Sequence, residues 1–135
     1  GEHVIGEEVE ACILQAAKEE RVQITEFTVA PFVSSDAGKS YHEWFVEFEQ
    51  IPHDLDAFAA KLDQNLRRKN VYYDDLVGGN ILRPLKIIPV RKHGFIDYMR
   101  SIGKLGGQNK VPRLSNDRKI AGELIKFGET VINNY

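Results

Sequence analysis

Apolar residues recur at three- and four-residue spacing between Glu7 and Glu20. Val9, Ile13, Ala16 and Ala17 share one side with glutamates between them, the stripe of an amphipathic helix with Cys12 near its buried edge. From Val22 to Val33 the pattern turns β-branched and aromatic. Val22, Ile24 and Thr28 hold one parity and Phe27 and Val29 the other, which predicts a strand ending near Pro31. The SSDAGKS run that follows is turn chemistry. Tyr41 to Gln50 then alternates, with His42, Trp44, Val46 and Phe48 on one face and Glu43, Glu47 and Glu49 on the other. The two strands are expected to form a hairpin with one buried face and one acidic, wet face.

After Pro52, helical spacing returns in Leu55, Phe58, Ala59, Leu62 and Leu66. Asp54 stands near the start and Arg67, Arg68 and Lys69 in the last turn, as a helix dipole favours. VYYDDLVGGN reads as an irregular connector ending in a Gly78-Gly79-Asn80 turn. ILRPLKIIPV reads as a strand, short or at an edge because Pro84 and Pro89 have no N–H to give to a ladder. A helix is expected from Gly94 to about Lys104, gathering Phe95, Tyr98, Met99 and Ile102 and ended by glycines 103, 106 and 107. A last helix, capped by Ser115 or Asn116, runs through Ile120, Leu124, Phe127 and Val131. This order predicts an α+β fold: a small mixed or antiparallel sheet of about three strands flanked by about four helices.

At 135 residues the chain fits a single domain, residues 1–135. With 42% apolar and 28% charged residues it has the composition of a globular protein, and it lacks any long apolar run or basic, apolar leader, so a cytoplasmic location without a membrane partner is expected. One cysteine excludes an internal disulfide. The net charge of -2 conceals a division: residues 1–63 carry 14 acidic and 4 basic side chains, residues 64–135 carry 6 and 14. Either the C-terminal half builds an anion-binding face or the halves attract each other across one fold.

Most of the candidate chemistry is weak. Asp36-Ala37-Gly38-Lys39-Ser40 has the tail of a phosphate loop, but Val33 stands where the leading glycine belongs and the run joins two strands. The four histidines sit in separate elements without ligand spacing, so no metal site is expected. Cys12 has no cationic neighbour one helical turn away and reads as a small core residue. Asp74 and Asp75 read as residues that cap or turn the connector, with paired-carboxylate catalysis the open alternative, which no known distance supports. No aromatic-interleaved basic module points to nucleic acid.

Residues 103–114 differ in kind. Gly106 and Gly107 permit backbone conformations that leave amides free, Gln108 and Asn109 offer neutral donors, and Lys110 and Arg113 bring two cations to one short loop stiffened by Pro112. Such a loop seeks an anion, with Arg113 as a planar fork and Lys110 as a mobile point charge. The plainer alternative is a solvated loop whose Arg113 pairs with an acidic neighbour.

Gln108-Asn109-Lys110-Val111-Pro112-Arg113, led by Gly106-Gly107, resembles the Asn-Gln-Tyr-Lys-(Thr/Val)-Pro-Arg segment of the auxin-responsive Gretchen Hagen acyl-acid amido synthetases. Asn109 stands where plant members have tyrosine. The likeness continues in Pro84-Leu85-Lys86-Ile87-Ile88-Pro89-Val90 with His93-Gly94-Phe95, in Thr25-Glu26-Phe27-Thr28 and in Tyr41–Phe48. Gly1-Glu2 and Glu7-Glu8-Val9 are similar to the start of that family's C-terminal domain, and Leu114-Ser115-Asn116-Asp117-Arg118 resembles the bacterial branch.

The resemblance implies the mobile C-terminal domain of an adenylate-forming enzyme. Such an enzyme uses ATP and magnesium to activate a carboxylic acid as an acyl-adenylate, which an amine, typically an amino acid, converts to an amide. It further implies Lys110 as the catalytic cation, Gly106, Gly107, Gln108, Asn109 and Arg113 as nucleotide contacts, and a large N-terminal ATP-binding domain in cis as partner. This chain alone is then expected to bind no cofactor and to be inactive. The alternative is a stand-alone α+β module that senses a small anion or associates through its sheet edge.

Overall fold

The N-terminal stripe forms helix α1 (Gly6–Glu20) in a computed structural model that describes residues 4–36, 38–104 and 110–128. Its first turn is closed by Glu8, whose carboxylate accepts from the Ile5 amide at 3.1 Å, and it stops where Arg21 turns left-handed at φ 56°. The hairpin follows as β1 (Ile24–Phe32) and β2 (Tyr41–Phe48), antiparallel, with Val29 opposite Trp44 and Phe32 opposite Tyr41. Helix α2 (Leu55–Lys69) begins at Asp54, whose side chain accepts from the Ala57 amide at 2.9 Å. After α3 (Val71–Gly78), β3 (Lys86–Pro89) pairs in parallel with β2, and α4 (Gly94–Ser101) and α5 (Lys119–Gly128) complete the described elements.

The sheet order β1-β2-β3 makes β2 central, and helices cover both of its faces. On one face Phe27, Val29, Trp44, Val46 and Phe48 pack with Val9, Ile13 and Ala16 of α1, Phe58, Leu62 and Leu66 of α2, and Tyr73 of α3. On the other, Ala30, Phe45 and Val90 meet Phe95 and Tyr98 of α4 and Ala121 and Leu124 of α5. Five helices and a three-stranded mixed sheet among the described residues make the fold α+β, as the element order predicts. Among these residues no helix is long and apolar enough to cross a membrane.

Three local expectations change, and one, for β3, holds. The acidic face of the hairpin is only partly wet: Glu49 is exposed, but Glu43 and Glu47 are 8% and 4% exposed. Glu47 accepts from the His93 and Phe95 amides at 3.0 and 3.2 Å and thereby caps α4, while Glu43 pairs with Arg118. The connector at 71–80 is largely helical, because Asn70 ends α2 and its side chain caps α3 at the Tyr73 amide, and Tyr73 and Val77 fall one turn apart into the core. The strand expected within 81–90 is, as its prolines imply, short and at the sheet edge: four residues, after Pro84 and ending on Pro89. Finally, α4 stops at Ser101, with Gly103 at φ 72°, and α5 starts only at Lys119, where Asp117 accepts from the first amide. Ser115 serves the sheet instead, donating its amide to the Val29 carbonyl at 2.8 Å.

Candidate functional site

Lys110 is exposed, and the five residues after it are tied down. Val111 is 4% exposed, set among the Ala30, Phe45 and Phe95 cluster. The Pro112 carbonyl accepts from Thr28 Oγ1 at 2.5 Å, the Arg113 carbonyl from the Val29 amide at 3.0 Å, and Leu114 forms an isolated parallel bridge with Val29. Segment 111–115 thus lies along the outer edge of β1, the edge that β2 leaves free, with Lys110 at its exposed end. A lysine ammonium so placed is a solvated point charge on a flexible stem whose base is fixed.

Arg113 looks inward. Its guanidinium donates to the Glu26 carboxylate and, at 3.2 Å, to the Phe27 carbonyl, and its Cζ stands 4.3 Å from the centre of the Phe27 ring. These contacts use the planar fork and the cation–π face together, each worth on the order of 1 kcal/mol. An anion at Arg113 would therefore share the guanidinium with Glu26. Of the expected nucleotide contacts, Gly106, Gly107, Gln108 and Asn109 lie outside the described residues; Arg113 is turned onto β1, while the expected catalytic Lys110 is exposed. Glu26 and Thr28 are the residues of this site that spacing alone does not single out. The available signal was an acidic residue inside a strand otherwise bound for burial, in a chain whose cations crowd the C-terminal half.

That charge division is absorbed partly within the fold, since Glu26 pairs with Arg113 and Glu43 with Arg118 across the two halves. Arg118 also donates to the Pro31 carbonyl at 3.1 Å and stands 5.5 Å from the Phe32 ring. The remaining weak motifs take structural parts. Ser34 and Ser40 close the loop between β1 and β2, the Ser40 hydroxyl oxygen accepting from the Ser34 amide at 3.0 Å, and Gly38, at φ 75°, lies so near the Asn80 carbonyl that a Cβ would stand 2.7 Å from it. No helix opens there to hold a phosphate. Asp74 pairs with Arg67 at 2.6 Å. Burial pushes the Cys12 thiol up, which disfavours the thiolate. Among the described residues no three His, Cys, Asp or Glu side chains gather as a metal site would need. A cleft of about 690 Å³ between the end of α1 and the start of α2 is lined by neither Lys110 nor Arg113.

Residues 7–119 match the family described as the GH3 family C-terminal domain. No curated protein sequence matches the chain. Among solved structures it is similar to a GH3.15 acyl acid amido synthetase, with a TM-score of 0.69 and 16% identity over 89% of this chain and 24% of that one. It is also similar to AtGH3.15 acyl acid amido synthetase in complex with 2,4-DB, with a TM-score of 0.70 and 15% identity over 89% of this chain and 23% of that one. The chain thus spans about a quarter of the length of these synthetases. At such identities the likeness is one of fold.

Proposed function

Because this chain belongs to the GH3 family C-terminal domain, we propose that it is the mobile lid of an ATP-dependent acyl-acid amido synthetase, closing over a large N-terminal domain that holds most of the nucleotide and acyl pockets. In this reading, a carboxylic acid is activated with ATP and magnesium and then conjugated to an amine such as an amino acid. Lys110 supplies a positive charge to the phosphate and acyl oxygens as they gain negative charge. The observation that carries the reading is the place of Lys110: an exposed ammonium at the end of an anchored segment, at the position of the lysine in the motif the sequence resembles.

Among the described residues Lys110, which is exposed, fits a phosphate contact. Arg113 is engaged by Glu26, and no acidic cluster among the described residues offers itself to magnesium. In this reading the partner domain holds most of the nucleotide and the metal, and this chain brings the Lys110 cation to them. In the full-length protein, Lys110→Ala is expected to lower acid-dependent pyrophosphate exchange by on the order of 10²-fold. Unchanged exchange would refute the role. Titration of this chain alone with ATP separates the lid from a stand-alone anion sensor: tight binding would favour the sensor, and none fits the lid.

A further inference from the structure

We propose that Glu26, Thr28 and Arg113 form a latch that sets where Lys110 stands, which makes them positioning residues for it. The proposal rests on the reading of Lys110 as the acting cation. Among the described residues two backbone hydrogen bonds tie segment 111–115 to β1, and both involve Val29: its amide donates to the Arg113 carbonyl at 3.0 Å and its carbonyl accepts from the Ser115 amide at 2.8 Å. They fix Leu114. Between that bridge and Lys110 comes Pro112, which has no N–H to extend the ladder. The chain on the lysine side of the bridge is therefore held by side chains.

Two polar ties do this, and both come from β1. Thr28, 1% exposed, donates its hydroxyl to the Pro112 carbonyl, two residues from the lysine. Glu26 and the Phe27 carbonyl take the Arg113 guanidinium while the Phe27 ring lies under it. The ring of Pro112 then restricts the path between these ties and Lys110, and Val111 is buried immediately beside the lysine. A displacement of about 1 Å of a reacting group can cost on the order of 10²-fold in rate, so a tie this close to Lys110 bears on its reach without touching substrate.

The test is a double-mutant cycle in the full-length protein, read on pyrophosphate exchange, with hydrogen exchange measured on this chain. Glu26→Gln and, separately, the near-isosteric Thr28→Val are each expected to lower kcat roughly 10-fold with the KM for ATP little changed, and to have less than about a 2-fold effect in a Lys110→Ala background. The Val29 and Ser115 amides should exchange roughly 10-fold faster in Glu26→Gln while α1 and α2 amides keep their rates. Arg113→Lys, which keeps the charge but loses the fork, should behave as Glu26→Gln does. Effects that persist in full without Lys110, or unchanged exchange at Val29 and Ser115, would overturn the latch. If Lys110→Ala itself leaves activity intact, the functional reading fails, and the exchange measurement still decides the latch.

Discussion

His42 is the group whose removal should change the pH dependence of stability most clearly. It sits on the face of β2 that meets α1, α2 and α3, is 3% exposed, and neither ring nitrogen has a hydrogen-bond partner among the described residues. Its ring stacks on Tyr73 at 5.4 Å between centroids. Burial drives the imidazole pKa from the ordinary 6.5 to about 4. The folded chain therefore stays neutral at His42 over a range in which the unfolded chain takes up a proton. Stability is fully present above pH 6.5, falls as pH drops toward 4, and stops falling on this account below that. At about 1.4 kcal/mol per unit, the whole loss amounts to about 3 kcal/mol. Tyr73 does not add to the slope: burial and the neighbouring Asp63 push its hydroxyl up, away from this window. Urea unfolding of the wild type and of His42→Phe between pH 7.5 and 4 measures the effect, because the titration of the other histidines cancels in the difference. His42→Phe should be equal or more stable by about 1 kcal/mol at pH 7.5, since it removes an unpaired buried polar ring, and its lead should widen by about 3 kcal/mol at pH 4. A lead that stays constant with pH would show that the imidazole is solvated or paired and refute the reasoning.

Two further substitutions separate structure from function. Glu47→Gln should cost about 1–2 kcal/mol, because a buried carboxylate at the N-terminus of α4 loses its charge while its amide contacts weaken; a urea midpoint shifted by less than about 0.5 kcal/mol would deny it the capping role. Lys110→Ala, at an exposed position, should leave stability within about 0.5 kcal/mol, whereas Val111→Ala, one residue on and buried, should cost about 2 kcal/mol. Equal losses from the two in thermal unfolding would mean that the lysine is part of the scaffold.

Periodicity in the sequence was enough for α1, the β1–β2 hairpin and α2, because a repeat of 3.6 or 2 reports directly which side chains share a face. The prolines at 84 and 89 likewise marked β3 as short and peripheral, since a missing N–H is a property of the residue itself. The Lys110 segment stood out in the sequence by its residue types and order, and its lysine is exposed. Periodicity was silent where a polar residue finds its partner far along the chain. Glu47 looked solvent-bound until the His93 and Phe95 amides, 46 and 48 residues on, were folded against it, and the same holds for Glu43 with Arg118 and Glu26 with Arg113, separated by 75 and 87 residues. Alternation says on which parity a carboxylate lies; whether that parity meets water or the positive end of a helix is a matter of packing, decided only when α4 and α5 close over the sheet. The anchoring of the Lys110 segment on β1 is a fact of the same kind, made by a hydroxyl, a carboxylate and an aromatic ring that become neighbours of Arg113 and Pro112 only in the folded chain.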